Sequence, residues 1–189
     1  MKLKNAYYIM RHGEALSNVK DIISSWPEKG VFPLTEKGKK QAELSAKELK
    51  KENIDLIFSS DVLRTKQTAE IVSYELEIKP TYDKRLREYN VGVFNARPID
   101  EYQGFLKNPK ERFEKKPQKG ETYKDIIERV MDFLTDTDRK YTNKKILIIS
   151  HQIPLTFIEA KIKDIDDLDI FRVYTSDKLI KTGQFRRIN

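Results

Sequence analysis

Two histidines occur in the 189-residue chain, and each stands where an apolar run stops. His12 follows Ala6-Tyr7-Tyr8-Ile9-Met10-Arg11, and His151 follows the run Lys145 to Ser150, "KILIIS". An imidazole with a free pKa near 6.5 offers a nitrogen lone pair at neutral pH without a strong base. The adjacent Arg11 supplies a permanently charged, planar fork of donors that fits a tetrahedral oxyanion. Gly13, next in line, lets the backbone turn tightly and approach a bound anion. A third apolar run, Asp55 to Ser60, ends in Ser59-Ser60-Asp61 with Arg64 one helical turn on. Should the three runs be parallel neighbours, two imidazoles and two guanidiniums converge on one crevice, because open α/β sheets bind ligands beyond the carboxyl ends of their strands. That is a set of groups suited to a phosphate dianion.

The elements that must position these groups are legible as alternating strands and helices. Residues 6 to 11, 55 to 60 and 145 to 150 read as buried strands. The segment from Leu34 reads as a helix capped by Thr35, with Ala42, Leu44, Ala46 and Leu49 only partly on one face. The segment from Asp61 reads as a helix capped by Asp61, with Val62, Thr65, Ala69, Val72 and Leu76 at helical spacing. A third helix starts near Glu121 and turns Ile126, Ile127, Val130, Phe133 and Leu134 inward, and Pro154 suits the first turn of a fourth, running through about Ala160. "DIFRVYT" and "KLIKTGQFRRI" alternate apolar with polar and predict a terminal antiparallel pair. Near-continuous apolar strands between amphipathic helices predict an α/β sandwich around a mostly parallel sheet. Residues 1–189 read as a single domain, with a lid-like irregular insertion over about 78–120 that carries four prolines and many charges.

Composition narrows the function classes. The chain has no cysteine, so a disulfide framework, a thiol nucleophile and a zinc-thiolate site are excluded. The five-residue apolar stretch near the N-terminus is too short for a signal-peptide core and no run reaches membrane-spanning length, which predicts a cytoplasmic protein. The net charge of +7 is spread along the chain among 30 acidic residues, with no basic block interleaved with stacking aromatics. A solvated surface and a small anionic substrate follow from this better than nucleic acid or a membrane. No carboxylate-histidine cluster has metal-ligand spacing, so neither a metal nor another cofactor is expected.

Six ordered segments carry a family resemblance: "RHGEALSN" (Arg11 to Asn18), "LTEKGKKQA" (Leu34 to Ala42), "SSDVLRTKQTA" (Ser59 to Ala69), "LRE" (Leu86 to Glu88), "KGET" (Lys119 to Thr122) and "SHQ" (Ser150 to Gln152). Together they resemble the histidine phosphatase superfamily, with its phosphoglycerate mutase-like three-layer α/β/α fold around a mostly parallel mixed sheet. The resemblance implies metal-independent phosphoryl transfer in two steps through a phosphohistidine on His12. Arg11, Arg64 and a protonated His151 would hold the equatorial oxygens, Asn18 and Thr122 would add phosphate contacts, and Glu88 would serve as general acid and then general base. Glu101 is the fallback acid, and Glu14 reads as structural.

The chain departs from the family pattern at Ala15, where a hydroxyl residue is common, and at Gln152, where glycine is usual. It departs again at Phe94 and Ala96 in the lid segment "EYNVGVFNARP". It also lacks the mutase segments that follow the acid, since Tyr89 succeeds Glu88 directly. The resemblance therefore implies a phosphatase acting on a small phosphorylated metabolite, as monomer or homodimer, with a mutase as the alternative and a non-catalytic phosphate-binding module the remaining one.

Overall fold

The computed structural model describes residues 2–189. Strands β1 (Ala6–Arg11), β2 (Leu56–Ser59), β3 (Thr81–Tyr82), β4 (Lys145–Ser150) and β5 (Phe185–Arg187) form one sheet in the order β3-β2-β4-β1-β5. The first four run parallel, and β5 lies antiparallel on β1. Register brings Arg11 beside Ser150 and Ser59 beside Ile149, so three strands finish at one level of the carboxyl edge. His12, Ser60 and His151 are the next residues along each chain.

Side chains alternate across the sheet, and both faces are covered. Tyr8, Met10, Ile57, Leu147 and Ile149 face helices α2 (Glu36–Leu49) and α3 (Leu63–Leu76). Tyr7, Ile9, Phe58, Ile146 and Ile148 face α5 (Tyr123–Lys140) and α6 (Gln152–Ile162). This double burial is why the strands read as continuous apolar runs. The mixed sheet with helices on both sides is the expected α/β sandwich. The remaining helices are short: α1 (Leu16–Val19), α4 (Ile99–Phe105) and α7 (Ile170–Val173). Among the described residues no helix is long and apolar enough to cross a membrane.

Thr35 caps α2 as its sequence suggests, accepting from the Gly38 amide at 3.0 Å. Three local expectations are corrected. Asp61 does not cap α3, which starts after Val62; its carboxylate is instead taken by Arg87 in two 2.6 Å hydrogen bonds. The expected terminal hairpin is replaced by α7 and the single strand β5. Ile170 and Tyr174, four residues apart, are both buried in the larger core cluster, and that spacing is as helical as the alternation was strand-like. The insertion over 78–120 is also more ordered than expected. It supplies edge strand β3, α4 and three 3₁₀ turns, and it buries Tyr89, Val91, Tyr102 and Phe113 in the core.

The lid departures have structural consequences. Phe94 packs its ring against Tyr102 and Phe105. Ala96 sits at φ +66°, in the left-handed region that costs a β-carbon about 1–2 kcal/mol. Its amide donates to the carbonyl of Ile23, one of the bonds tying the lid to the loop before α2. Ala96→Gly is expected to stabilise the protein by about 1 kcal/mol, raising the melting temperature by roughly 2–4 °C. Thermal denaturation followed by circular dichroism checks this, and an unchanged or lowered midpoint contradicts it.

Candidate active site

The turn after β1 is set by close backbone packing. A β-carbon on Gly13 would collide with the carbonyl of Gly38, and one on Gly38 would collide with the carbonyl of Glu14. The two glycines thus let the start of α2 press against the Arg-His-Gly turn. Glu14 secures the junction by accepting from Thr35 Oγ1 (2.9 Å) and Lys37 Nζ (2.7 Å), a structural role as its sequence context suggested. The Gly13 amide donates to Thr68 Oγ1 of α3 (3.1 Å), and the Gly183 amide donates to the His12 carbonyl (2.9 Å).

These bonds place His12, 2 % exposed, with a defined tautomer. Its Nδ1 lies 2.7 Å from the Gly13 carbonyl, which can only accept, so Nδ1 carries the proton and Nε2 the lone pair. Arg64, itself buried, points its Nε–H at that Nε2 over 3.2 Å. The same guanidinium donates from Nη2 to His151 Nδ1 at 3.0 Å, and His151 Nε2–H donates to Ser60 Oγ at 3.0 Å. The two imidazoles meet edge to face with centroids 5.2 Å apart. Burial, reinforced by Arg64 and Arg11, holds the His12 pKa well below the ordinary 6.5. Burial, with Arg64 again the main charged neighbour, does the same to His151.

His151 therefore differs from the expected protonated ligand. It is neutral, fully buried, and presents a lone pair to Arg64. The cause is first the complete burial of the ring, and then the neighbouring cations Arg64, Arg129 and Arg11, which all disfavour a further positive charge there. In this arrangement His151 orients the guanidinium of Arg64.

A cavity of about 300 Å³ opens above this cluster. Arg11, His12, Asn18, Arg64 and Glu88 line it, joined by Gln152. Arg11 buries an Nε–H that has no acceptor, and its Nη1 reaches only the Ile180 carbonyl, at 3.3 Å. An orphaned guanidinium donor at a cavity wall is fitted to an anionic ligand. Asn18 uses Oδ1 to accept from the Ala15 amide (2.9 Å), steadying the short α1 where Ala15 offers no hydroxyl. Glu88 is held by Ser150 Oγ, which donates to the Leu86 carbonyl (2.6 Å), and by the Tyr89 amide, which donates to Glu88 Oε1 (2.9 Å). Burial raises the Glu88 pKa above the ordinary 4.5, against the opposing pull of the Tyr89 amide, Arg64 and Arg11.

Two candidates fall outside this constellation. Thr122 does not line the cavity; its hydroxyl caps α5 by accepting from the Asp125 amide at 3.2 Å. Glu101 lies on α4, paired with Arg97 at 3.1 Å, and does not line the cavity either.

Sequence reasoning missed the loop between α1 and α2. Ser24 accepts twice from Arg64, taking Nη1 on its hydroxyl (3.0 Å) and Nη2 on its carbonyl (3.1 Å). Glu28 completes the clamp with an ion pair to Nη1 at 3.2 Å. Trp26 of the same loop stacks on the Arg87 guanidinium at 3.6 Å, and buried Asn95 of the lid ties down the carbonyls of Ser25 and Pro27. These residues sit in a segment with no hydrophobic period, and pairing partners 36 to 70 positions away leave no local trace. Lid residues Tyr89, Tyr102 and Arg112, and Tyr123 at the start of α5, also line the cavity.

The sequence profile of the histidine phosphatase superfamily (branch 1) matches residues 7–178. The chain belongs to that family. Among curated proteins it is similar to the probable phosphoglycerate mutase GpmB of Yersinia pestis and of Yersinia pseudotuberculosis. Identity there is 43 % over 93 residues, covering 49 % of this chain but only 42 % of those relatives. Among solved structures, YhfR of Bacillus stearothermophilus superposes with TM-score 0.76 at 28 % identity, over 88 % of this chain and 84 % of that one. A putative α-ribazole-5'-P phosphatase of Escherichia coli (TM-score 0.81, 21 % identity, 95 % and 87 % covered) shares the fold. So does a mycobacterial glucosyl-3-phosphoglycerate phosphatase in complex with VO3 (0.82, 19 %, 95 % and 90 %).

Proposed function

We propose that this protein hydrolyses a phosphate monoester through a covalent phosphohistidine on His12. One observation carries the reading: the Gly13 carbonyl fixes the Nδ1–H tautomer, so the nucleophilic lone pair of Nε2 points at Arg64 in the cavity. A phosphate oxygen that accepts the Arg64 Nε–H releases that lone pair for in-line attack on phosphorus. The P–O bond to the leaving group breaks as Glu88 delivers its proton to the leaving oxygen. Water then attacks the phosphohistidine, Glu88 takes the water's proton, and His12 and phosphate are regenerated. Arg11 and Arg64 neutralise the equatorial oxygens, the main source of rate in phosphoryl transfer. In this scheme the cationic groups of the chain do the work a metal does elsewhere. The substrate is a small cytoplasmic metabolite bearing a phosphate ester.

A mutase reading finds support in the curated relatives' name, over an aligned stretch of about half this chain. The phosphatase reading is favoured by the short lid over residues 78–120, whose cavity opens to water, which a mutase must keep from its phosphoenzyme. A panel of phosphate monoesters, assayed with and without chelator and with vanadate, tests the proposal. Release of inorganic phosphate that survives chelation and is blocked by vanadate, a mimic of the five-coordinate transition state, is expected. Transfer to a second acceptor without net hydrolysis supports the mutase, and insensitivity to millimolar vanadate contradicts the site.

A further inference from the structure

The chemistry above asks one glutamate to give a proton and then to take one, so Glu88 must keep its place through both steps. Among the described residues its carboxylate accepts one hydrogen bond, from the Tyr89 amide at 2.9 Å. The rest of its placement comes from the main chain on either side. Beyond the bond from Ser150 to the Leu86 carbonyl, three arginines fasten that stretch. Arg85 pairs with Asp132 (2.6 Å) and Asp136 (2.8 Å) of α5, and Arg87 pairs with Asp61 beyond the end of β2 (2.6 Å). Arg129 of α5 donates from Nη1 to the Arg85 carbonyl (2.5 Å) and from Nη2 to the Glu88 carbonyl (3.3 Å). Of the three, Arg129 is the one that reaches Glu88.

The opposite edge of the Arg129 guanidinium is fixed as well. Its Nε donates to Glu121 Oε1 at 2.9 Å and its Nη2 to Glu121 Oε2 at 3.2 Å. Glu121 in turn accepts from the Asn90 amide (3.0 Å), and its own amide donates to the Asn90 carbonyl (2.8 Å). One partly buried ion pair thus grips the acid-bearing segment at residues 85, 88 and 90. All three guanidinium nitrogens donate, in a rigid plane that the single ammonium of a lysine cannot reproduce. Arg129 does not line the cavity, so it makes no contact with a phosphate ester bound there. Burial raises the Glu88 pKa, and Arg129 stands with the Tyr89 amide, Arg64 and Arg11 among the groups that oppose it, as a cation close to that carboxyl does. His12 is held separately, by the Gly13 carbonyl and by the main chain of β4 and Gly183.

We infer that Arg129 is a positioning residue for the acid, holding Glu88 at the leaving oxygen through its fork on the Arg85 and Glu88 carbonyls. The inference rests on the reading of Glu88 as acid and base, which hydrolysis and transfer to a second acceptor share. Arg129→Lys keeps the charge and loses the fork. Its kcat for an alkyl phosphate is expected to fall about 10- to 100-fold, the cost of misplacing a reacting group by about 1 Å, with KM within about twofold. The first-turnover rate with p-nitrophenyl phosphate, whose leaving group departs unaided, and the affinity for vanadate are expected to match the wild type. Added to Glu88→Gln, where the acid is already gone, Arg129→Lys is expected to cost no more than about twofold further, because the two changes remove one interaction. Should Arg129→Lys not fold, Glu121→Gln, which weakens the anchor but leaves both carbonyl bonds, is expected to give the same pattern at about three- to tenfold. Equal losses for the alkyl and aryl esters, a vanadate affinity that falls in parallel, or the full loss repeated beside Glu88→Gln overturns the role of Arg129 and leaves the phosphatase reading standing. A wild-type protein that turns over no ester, or one that loses nothing with alkyl phosphates on Glu88→Gln, overturns that acid, and Arg129 as its positioner with it. Transfer to an acceptor other than water, slowed by Arg129→Lys and no further in the double variant, supports Arg129 and overturns hydrolysis alone.

Discussion

Replacing His12 with alanine is expected to lower turnover of p-nitrophenyl phosphate by at least about 10,000-fold while the fold survives. The size follows from the loss of the covalent route itself. Without Nε2, the only available nucleophile is water, which no group in the cavity aligns with phosphorus while Glu88 is engaged as an acid. The survival of the fold follows from where the ring sits. His12 projects from the end of β1, after the sheet register has closed, and its main-chain bonds to Ser150 and Gly183 do not depend on the side chain. What is lost is one hydrogen bond to Gly13 and the acceptor for Arg64 Nε. Arg64 keeps Ser24, Glu28 and His151 as partners. Circular dichroism and a melting curve establish folding; phosphate release at anything near the wild-type rate removes His12 from the mechanism.

The second large effect concerns Glu88→Gln, an isosteric change that removes a transferable proton. With an alkyl phosphate, whose leaving oxygen needs that proton, a loss of roughly 100- to 10,000-fold is expected. With p-nitrophenyl phosphate the leaving group departs unaided, so the first turnover stays fast and the slow step becomes hydrolysis of the phosphoenzyme. A burst followed by a low steady rate is the signature. The pH profile follows the same two groups. His12 must be neutral, and because its pKa lies well below 6.5, activity is lost only as pH falls through that lowered value. Glu88 must be protonated for the first step, and its pKa is raised above 4.5, so activity declines as pH rises through that raised value. The wild-type profile for alkyl phosphates accordingly has an alkaline limb set by Glu88, and that limb disappears in Glu88→Gln. Equal losses for both substrates, or an unchanged alkaline limb, places the acid elsewhere.

Much of this site is written at strand ends, and that is why it could be read. Arg11, His12, Arg64 and His151 each follow an apolar run closely, and parallel pairing of β1, β2 and β4 makes those sequence positions coincide in space. Glu88 needed the family resemblance, because a glutamate in a charge-rich loop has no local signature; its position is set by Ser150 reaching the Leu86 carbonyl across the sheet edge. Ser24 and Glu28 were invisible for a related reason: their meaning lies in a guanidinium 36 to 40 residues away. The charge state of His151 was also beyond the sequence, since it depends first on how deeply the ring is buried and then on which cations lie beside it. Thr122 shows the reverse case, a hydroxyl in a family motif whose local signal, a helix cap with Asp125 three residues on, turned out to be its structural use.

The most direct test is to quench the protein during turnover and locate the phosphate. Rapid mixing with an alkyl phosphate, denaturation in alkali and ³¹P NMR with peptide mass spectrometry are expected to find one acid-labile phosphate, on Nε2 of His12. Nδ1 is held by the Gly13 carbonyl and leaves only that nitrogen to attack. Steady hydrolysis with no phosphoprotein at any time, or phosphate on Nδ1 or on His151, contradicts the account.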